Sequence, residues 1–308
     1  MCGIVGLFLK DRSLEKDLGQ LLSDMLVTMT DRGPDSAGIA IYGQEIAGRT
    51  KVTIQSDTPD VTFSDFEQRV GALLGKSSGL RIKGSHAVAD VPNERVGDVR
   101  KMIDDLEGAV RVMSVGETME IYKEVGLPKD VVSRFEIPAM SGTHGIGHTR
   151  MATESAVTTL GAHPFSTGTD QCLVHNGSLS NHNNLRRELK RLGIRFETQN
   201  DSEVAAAYLT ARMNDGLDLG QALTSALRDL DGFFTFVVGT KTGFGVLRDP
   251  IACKPAVMAE TDRYVAFGSE FRALVGLPDI ENAKVWEPEP ASVYFWNREA
   301  SASQTLAA

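Results

Sequence analysis

The sequence predicts an α+β fold. Three observations carry that prediction: an apolar strand opens the chain at residues 2–9, three helical stripes follow one another between Leu185 and Leu230, and an all-β run fills residues 233–296. The regular strand–helix alternation of a doubly wound parallel sheet is missing.

Residues 2–9 are mostly apolar and read as a buried strand. Ser13 is the N-cap candidate for a helix whose Leu14, Leu18, Leu21, Leu22, Met25 and Met29 share one stripe. That helix must stop near Asp31, because Gly33-Pro34 cannot continue it. The turn Arg32-Gly33-Pro34-Asp35-Ser36-Ala37-Gly38 then leads into the alternating strand Ile39-Ala40-Ile41-Tyr42. Residues 44–140 carry few signals: a charged helix at 93–106, strands at 111–115 and 120–125, and a short helix at 129–135. Their surface-type residues suit an insertion that meets a partner, and His86 reads there as structural or exposed rather than catalytic. From Gly145 a strand runs into a polar loop ending at Thr153, followed by Ala162-His163-Pro164-Phe165 and a strand at 171–175 that reaches Asn176-Gly177. Leu185, Leu189 and Leu192 mark an amphipathic helix closed by Gly193. A second helix starts at Asn200-Asp201-Ser202-Glu203 with Asp201 or Ser202 as its cap, and Leu219, Leu223, Leu227 and Leu230 mark a third. Strands at 233–239, 243–248, 255–259, 264–267 and 292–296 follow, and residues 298–308 read as a flexible tail.

Composition narrows the function. The charged fraction of 24% and hydrophobic fraction of 42% are those of a globular domain. A net charge of -9 argues against a binder of phosphate backbones, so no nucleic-acid partner is expected. No apolar run approaches the roughly 18–20 residues that span a bilayer, and the opening run lacks the basic flank of a secretion signal. The expected compartment is the cytoplasm, with no membrane partner. Three cysteines without CxxC spacing give neither a disulfide framework nor a zinc pattern. The six histidines show no HExxH-type spacing, so no metal is expected. Gly145-Ile146-Gly147 lacks the helix and third glycine of a dinucleotide loop.

Two places carry candidate chemistry. Cys2 directly follows the initiator methionine, and trimming of Met1 would leave it a free α-amine beside its thiol. Nucleophile and base would then share one residue, with the amine titrating at about 7.7–8.0. The alternative is a small apolar residue starting a buried strand. Asn176-Gly177 can aim a side-chain amide and an unencumbered N–H at one oxyanion, or can simply form a common hairpin turn. Cys172 and Cys253 sit in apolar strands and read as inert core.

Taken together, Cys2-Gly3-Ile4-Val5-Gly6, Arg32 to Gly38, Gly147-His148-Thr149-Arg150-Met151-Ala152-Thr153, Ala162-His163-Pro164-Phe165, His175-Asn176-Gly177, Asp201-Ser202-Glu203, Arg248-Asp249-Pro250, Lys254-Pro255 and Ser269 to Leu274 form an ordered set. The set resembles the class II glutamine amidotransferase domain, a branch of the N-terminal nucleophile hydrolases. The resemblance covers residues 1–43 and about 141–297. It implies a four-layer αββα sandwich of two antiparallel sheets, as one domain over 1–297 with an insertion at about 44–140. It further implies that Cys2 attacks the side-chain amide of glutamine, its own α-amine moving the proton, through a γ-glutamyl thioester. Asn176 and the Gly177 N–H would stabilise the oxyanion. Arg150 would fork onto the α-carboxylate and Asp201 would pair with the α-ammonium. Thr153 and His163 would belong to the substrate pocket, and Arg32 would support Cys2. Two departures stand at Met151 and Glu154, where many relatives carry an aromatic residue and a histidine.

Larger members of the family append a synthase domain that consumes the ammonia, and none follows here. The resemblance therefore implies glutamine as ligand and a separate, glutamate-synthase-like subunit as partner. The chain is most similar to the standalone amidotransferase subunits of such enzymes, N-methylglutamate synthase among them. No cofactor is expected on this chain; FMN would belong to the partner. Two other readings stay open: a standalone hydrolase of γ-glutamyl amides or peptides, and a non-catalytic regulatory subunit.

Overall fold

The opening strand β1 (Gly3–Leu9) is buried along its whole length because both its faces are covered. In the computed structural model, which describes residues 2–75, 79–106, 108–152, 156–299 and 304–307, β1 pairs with strands that arrive much later in the chain. After it, a 3-10 turn over Arg12–Asp17 leads into α1 (Leu18–Thr28). The cap of that turn is Asp11 rather than Ser13, since the Asp11 carboxylate accepts from the Ser13 N–H at 2.8 Å. A further 3-10 turn, Thr30–Arg32, ends the helical segment before Gly33-Pro34, and β2 (Ser36–Tyr42) follows.

The next segment builds a separate small layer. β3 (Arg49–Gln55), α2 (Pro59–Leu74), β4 (Arg81–Lys83), β5 (His86–Pro92), α3 (Val96–Asp104) and β6 (Arg111–Gly116) give a four-stranded antiparallel sheet, β4-β5-β3-β6, backed by its own core of Val52, Ile54, Phe63, Phe66 and Val70. β7 (Met119–Val125) then returns to the main body and pairs with β2, from Tyr42↔Met119 to Ser36↔Val125. α4 (Pro128–Arg134) follows it, and Val131, Val132 and Phe135 join the core around α1. Within the expected insertion, residues from 119 onward thus supply a strand and a helix to the main layers. His86 is buried against the rings of Phe135 and Tyr122, at 4.8 and 5.9 Å.

The second half runs β8 (His144–Arg150), β9 (Phe165–Gly168), β10 (Gln171–Leu179), α5 (His182–Arg191), α6 (Asp201–Asn214), α7 (Leu219–Asp229), β11 (Gly232–Gly239), β12 (Gly243–Arg248), β13 (Val257–Glu260), β14 (Tyr264–Gly268), β15 (Lys284–Trp286), β16 (Ser292–Asn297) and β17 (Gln304–Ala307). Two antiparallel sheets result, with strand orders β15-β13-β14-β1-β8-β2-β7 and β17-β16-β12-β11-β10-β9. The period-2 alternation of side chains explains how they stack. From β1, Ile4 and Phe8 point between the sheets, where they meet Val174, Val237 and Phe244. Val5, Leu7 and Leu9 point the other way onto Leu18, Leu22 and Leu26 of α1. On the far side, Leu173, Phe234 and Phe236 pack against Leu209 of α6 and Leu223 of α7. The architecture is the αββα sandwich, and strands covered on both faces read as continuous apolar runs.

Two further expectations fail here. The tail is not free from residue 298: Arg298 donates to the carbonyls of Leu9 and Thr143 at 2.5 and 3.2 Å, and β17 pairs with β16. The backbone groups along the β16 edge give that segment a template which its Ala/Ser-rich composition does not reveal. Cys253 is exposed and lies outside any strand, because Arg248-Asp249-Pro250 ends β12 before it.

Candidate active site

Cys2 stands just before β1, and four elements converge on it and the two residues that follow. Its carbonyl accepts from Arg32 Nε at 3.0 Å and from Asn176 Nδ2 at 3.2 Å. The Gly3 N–H donates to Thr149 Oγ1 at 3.2 Å, and that hydroxyl donates onward to the Met29 carbonyl at 3.2 Å. The Ile4 N–H donates to Ser269 Oγ at 2.9 Å. The turn after α1, the end of β8, the middle of β10 and the turn after β14 thus fix the start of the chain, while Cys2 keeps partial exposure. Arg32 is buried and pairs with Glu270 at 2.5 Å, which in turn holds Arg272 at 2.7 Å. The Arg32 hydrogen bond is the main reason the Glu270 carboxyl lies below its ordinary range.

Asn176 and Gly177 do not form a hairpin turn. They lie inside β10, opposite Thr235 and Phe234 of β11. Gly177 has φ +150°, and a Cβ there would sit 2.0 Å from the Phe233 carbonyl oxygen, so only glycine fits. One N–H of the Asn176 amide holds Cys2; the amide carries a second.

Arg150 is the last residue of β8 and is buried. Its guanidinium donates to the Ala156 carbonyl at 3.4 Å, and its own carbonyl accepts from the Asp35 N–H at 3.1 Å. The Asp35 carboxylate also accepts from the Ala152 N–H at 2.8 Å, shaping the loop after Arg150. Thr153 and Glu154 lie outside the described residues. Asp201 is the first residue of α6, but the cap is Asn200, whose side chain accepts from the Ser202 N–H at 2.8 Å. With capping done by Asn200, the Asp201 carboxylate instead accepts from the Leu179 N–H of β10 at 2.9 Å and stays part-exposed.

His163 is buried, with Nε2 2.8 Å from Ser202 Oγ and its ring stacked on His148 at 4.0 Å. Its loop is clamped from below. Lys123 Nζ, on β7, donates to the carbonyls of Ala162, Leu160 and Pro164 at 2.9, 3.2 and 3.3 Å. Gly38 on β2 lets that loop approach, since a Cβ there would meet the His163 carbonyl oxygen at 2.0 Å. Burial pushes the Lys123 ammonium down to about 8, the His148 ring to about 3 and the His163 ring well below its usual range. His175 is also lowered by burial, against the pull of Asp201. The sequence reading did not assign a site role to Ser202, which it read as a cap candidate, or to His148, His175, Lys123, Asp35, Ser269 or Glu270. Several stand inside the quoted motifs, and that position was the only signal they gave.

Residues 148–276 match the family described as the glutamine amidotransferase domain. The glutamine amidotransferase-like protein GlxB of Rhizobium meliloti (strain 1021) is 71% identical over 302 residues, covering 98% of this chain and 100% of its own length. The chain belongs to the class II glutamine amidotransferases. An amidophosphoribosyltransferase of Methanocaldococcus jannaschii is 32% identical over 185 residues, 59% of this amidotransferase and 39% of that protein. The solved glutamine phosphoribosylpyrophosphate amidotransferase of B. subtilis shares the fold, with a TM-score of 0.63 at 19% identity over 99% of this chain. This amidotransferase spans about half of that structure, 49% of its length. It is an enzyme domain that hydrolyses glutamine.

The amidotransferase's other features stand apart from Cys2. A cavity of about 1010 Å³, lined by Phe8, Lys10, Glu15, Lys241 and Arg298 among others, opens at the far end of β1 and includes no expected site residue. Cys172 is buried beside the Tyr42 hydroxyl, 3.3 Å away, and burial raises its thiol to about 12, where it is inert at neutral pH. Among the described residues no group of three or more His, Cys, Asp or Glu side chains could hold a metal ion, and no helix is long and apolar enough to cross a membrane.

Proposed function

We propose that Cys2, freed of Met1, is the nucleophile that opens the side-chain amide of free glutamine. The thiolate adds to the amide carbon while the α-amine of Cys2 takes the thiol proton and returns it to the departing ammonia. The γ-glutamyl thioester that remains is hydrolysed to glutamate. In this reading the second N–H of Asn176 and the Gly177 N–H receive the oxyanion, Arg150 forks onto the α-carboxylate, and Asp201 meets the α-ammonium. Thr153 would contribute to glutamine binding as the family resemblance implies, His163 orders the loop beside the pocket, and Arg32 holds the Cys2 backbone. The observation that supports it best is the pair of hydrogen bonds from Arg32 and Asn176 to the Cys2 carbonyl, which hold the amide donor against the backbone of the residue that carries the thiol.

The ammonia, or the glutamyl group, goes to a separate glutamate-synthase-like subunit, as in N-methylglutamate synthase, and any FMN belongs to that subunit. The 71% identity over the whole of GlxB supports the amidotransferase part of this reading across the full length of the chain. Purified chain tests both parts. Ammonia release from glutamine that vanishes in Cys2→Ala and rises when the native partner is added is expected. High activity alone, with preference for γ-glutamyl peptides, would identify a standalone hydrolase and contradict the subunit reading. Activity surviving in Cys2→Ala would contradict the nucleophile.

A further inference from the structure

Ser202 sits where three polar side chains meet. Its Oγ lies 2.8 Å from His163 Nε2, 2.9 Å from His175 Nδ1 and 3.4 Å from Asp201 Oδ1. A hydroxyl carries one proton and two lone pairs, while an ionised carboxylate only accepts. One arrangement satisfies all three contacts: Ser202 donates to Asp201 and accepts from both imidazoles. That puts the proton of His163 on Nε2 and the proton of His175 on Nδ1, leaving the other ring nitrogens bare. Among the described residues those two nitrogens, His163 Nδ1 and His175 Nε2, are buried and have no partner. A bare nitrogen tolerates that better than an orphaned N–H. His148 repeats the pattern. Its Nε2 lies 3.2 Å from the His175 carbonyl oxygen and so carries the proton, and its Nδ1 is buried without a partner. Each of the three rings is neutral, because a second proton would have nowhere to bond.

We propose that Ser202 is a positioning residue for glutamine recognition, holding the Asp201 carboxylate in place through a proton network fixed by His163 and His175. The proposal rests on the reading of Asp201 as partner of the substrate ammonium. Leu179 N–H already ties Oδ2, and the Ser202 proton ties Oδ1, so the plane of the carboxylate is set before substrate arrives. The same hydroxyl links α6 to the His163 loop and to the strand that carries Asn176.

Steady-state kinetics of the full chain test this with glutamine and with glutaramate, the same amide lacking the α-amino group. In Ser202→Ala, KM for glutamine should rise about tenfold or more while kcat stays within about threefold, and KM for glutaramate should not move. Ser202→Thr, which keeps the hydroxyl, should restore KM for glutamine. Equal losses on both substrates would overturn the proposal and leave Ser202 a packing residue. Asp201→Asn separates the two layers. If it leaves the preference for glutamine over glutaramate intact, the reading of Asp201 is wrong and the role of Ser202 falls with it. If it abolishes the preference and Ser202→Ala does not, the Ser202 proposal alone fails. Nitrogen-15 NMR of the wild-type imidazoles decides even if Ser202→Ala does not fold. His163 protonated at Nε2 and His175 at Nδ1, unchanged between about pH 8 and 5.5, is expected; the opposite tautomer at either ring overturns the network.

Discussion

The Cys2 carbonyl takes two donors at once, one from a guanidinium and one from a carboxamide, and this sets what each side chain can be replaced by. Asn176→Ala removes a Cys2 tether and, in the proposed mechanism, an oxyanion donor, so kcat should fall by about 10²–10³. The lost tether should cost about 1 kcal/mol of stability. Both are read from one preparation, by ammonia assay and by denaturant melt; an unchanged kcat would contradict the oxyanion role. Arg150→Lys keeps the charge and loses the planar fork, so its expected effect is a raised KM for glutamine with less change in kcat. Cys2 and Asn176 offer candidate chemistry in the local sequence, whereas Arg150 and Asp201 stand out only through the ordered motifs that carry the family resemblance. Ser202 was legible in neither way. After Asn200-Asp201 at a helix start a serine reads as a cap, and its real partners arrive from the β9 approach and from β10, which no local spacing encodes.

At the scale of elements, Lys123 of β7 shows how the sandwich holds a site loop. Its ammonium is buried and spent on three carbonyl oxygens of one loop. Lys123→Met should leave those carbonyls without a donor, at a cost of about 1–3 kcal/mol, and should loosen the His163 loop. A lower melting temperature together with a higher KM for glutamine is the expected result; a melting temperature equal to wild type would contradict the clamp. β7 itself was legible as a strand, but its place beside β2 was not, since period-2 alternation names no partner strand. α2 went unread because its inward residues, Phe63, Phe66 and Val70, are few and its exposed Val61 blurs the stripe. Asn176-Gly177 misled in the other direction, because the dipeptide signals a turn wherever the backbone allows one, whereas here β11 holds it extended.

At the scale of the whole molecule, five of the six histidines have lowered pKa values, with burial as the first cause. His86, His144 and His148 fall to about 3, against about 6.5 when unfolded. Below 6.5 the unfolded chain therefore binds more protons than the folded one. The stability these rings contribute is full above about 6.5 and is lost as pH falls toward 3, at up to about 1.4 kcal/mol per histidine per pH unit. Melting temperature should drop steadily from about pH 6.5 to 5, before most carboxylates titrate, and a flat profile there would contradict neutral buried rings. The two-sheet core was legible in outline because strands covered on both faces keep long apolar runs, whereas the four-stranded layer between β2 and β7 has a small core and a correspondingly faint pattern. The central claim concerns the first residue of that frame, and intact-mass spectrometry of the active chain before and after a glutamine-analogue electrophile tests it most directly. The account predicts a mass lacking Met1 and a single adduct that maps to Cys2, with Cys172 and Cys253 unmodified. Met1 retained in fully active protein, or adducts shared among the three cysteines, would contradict it.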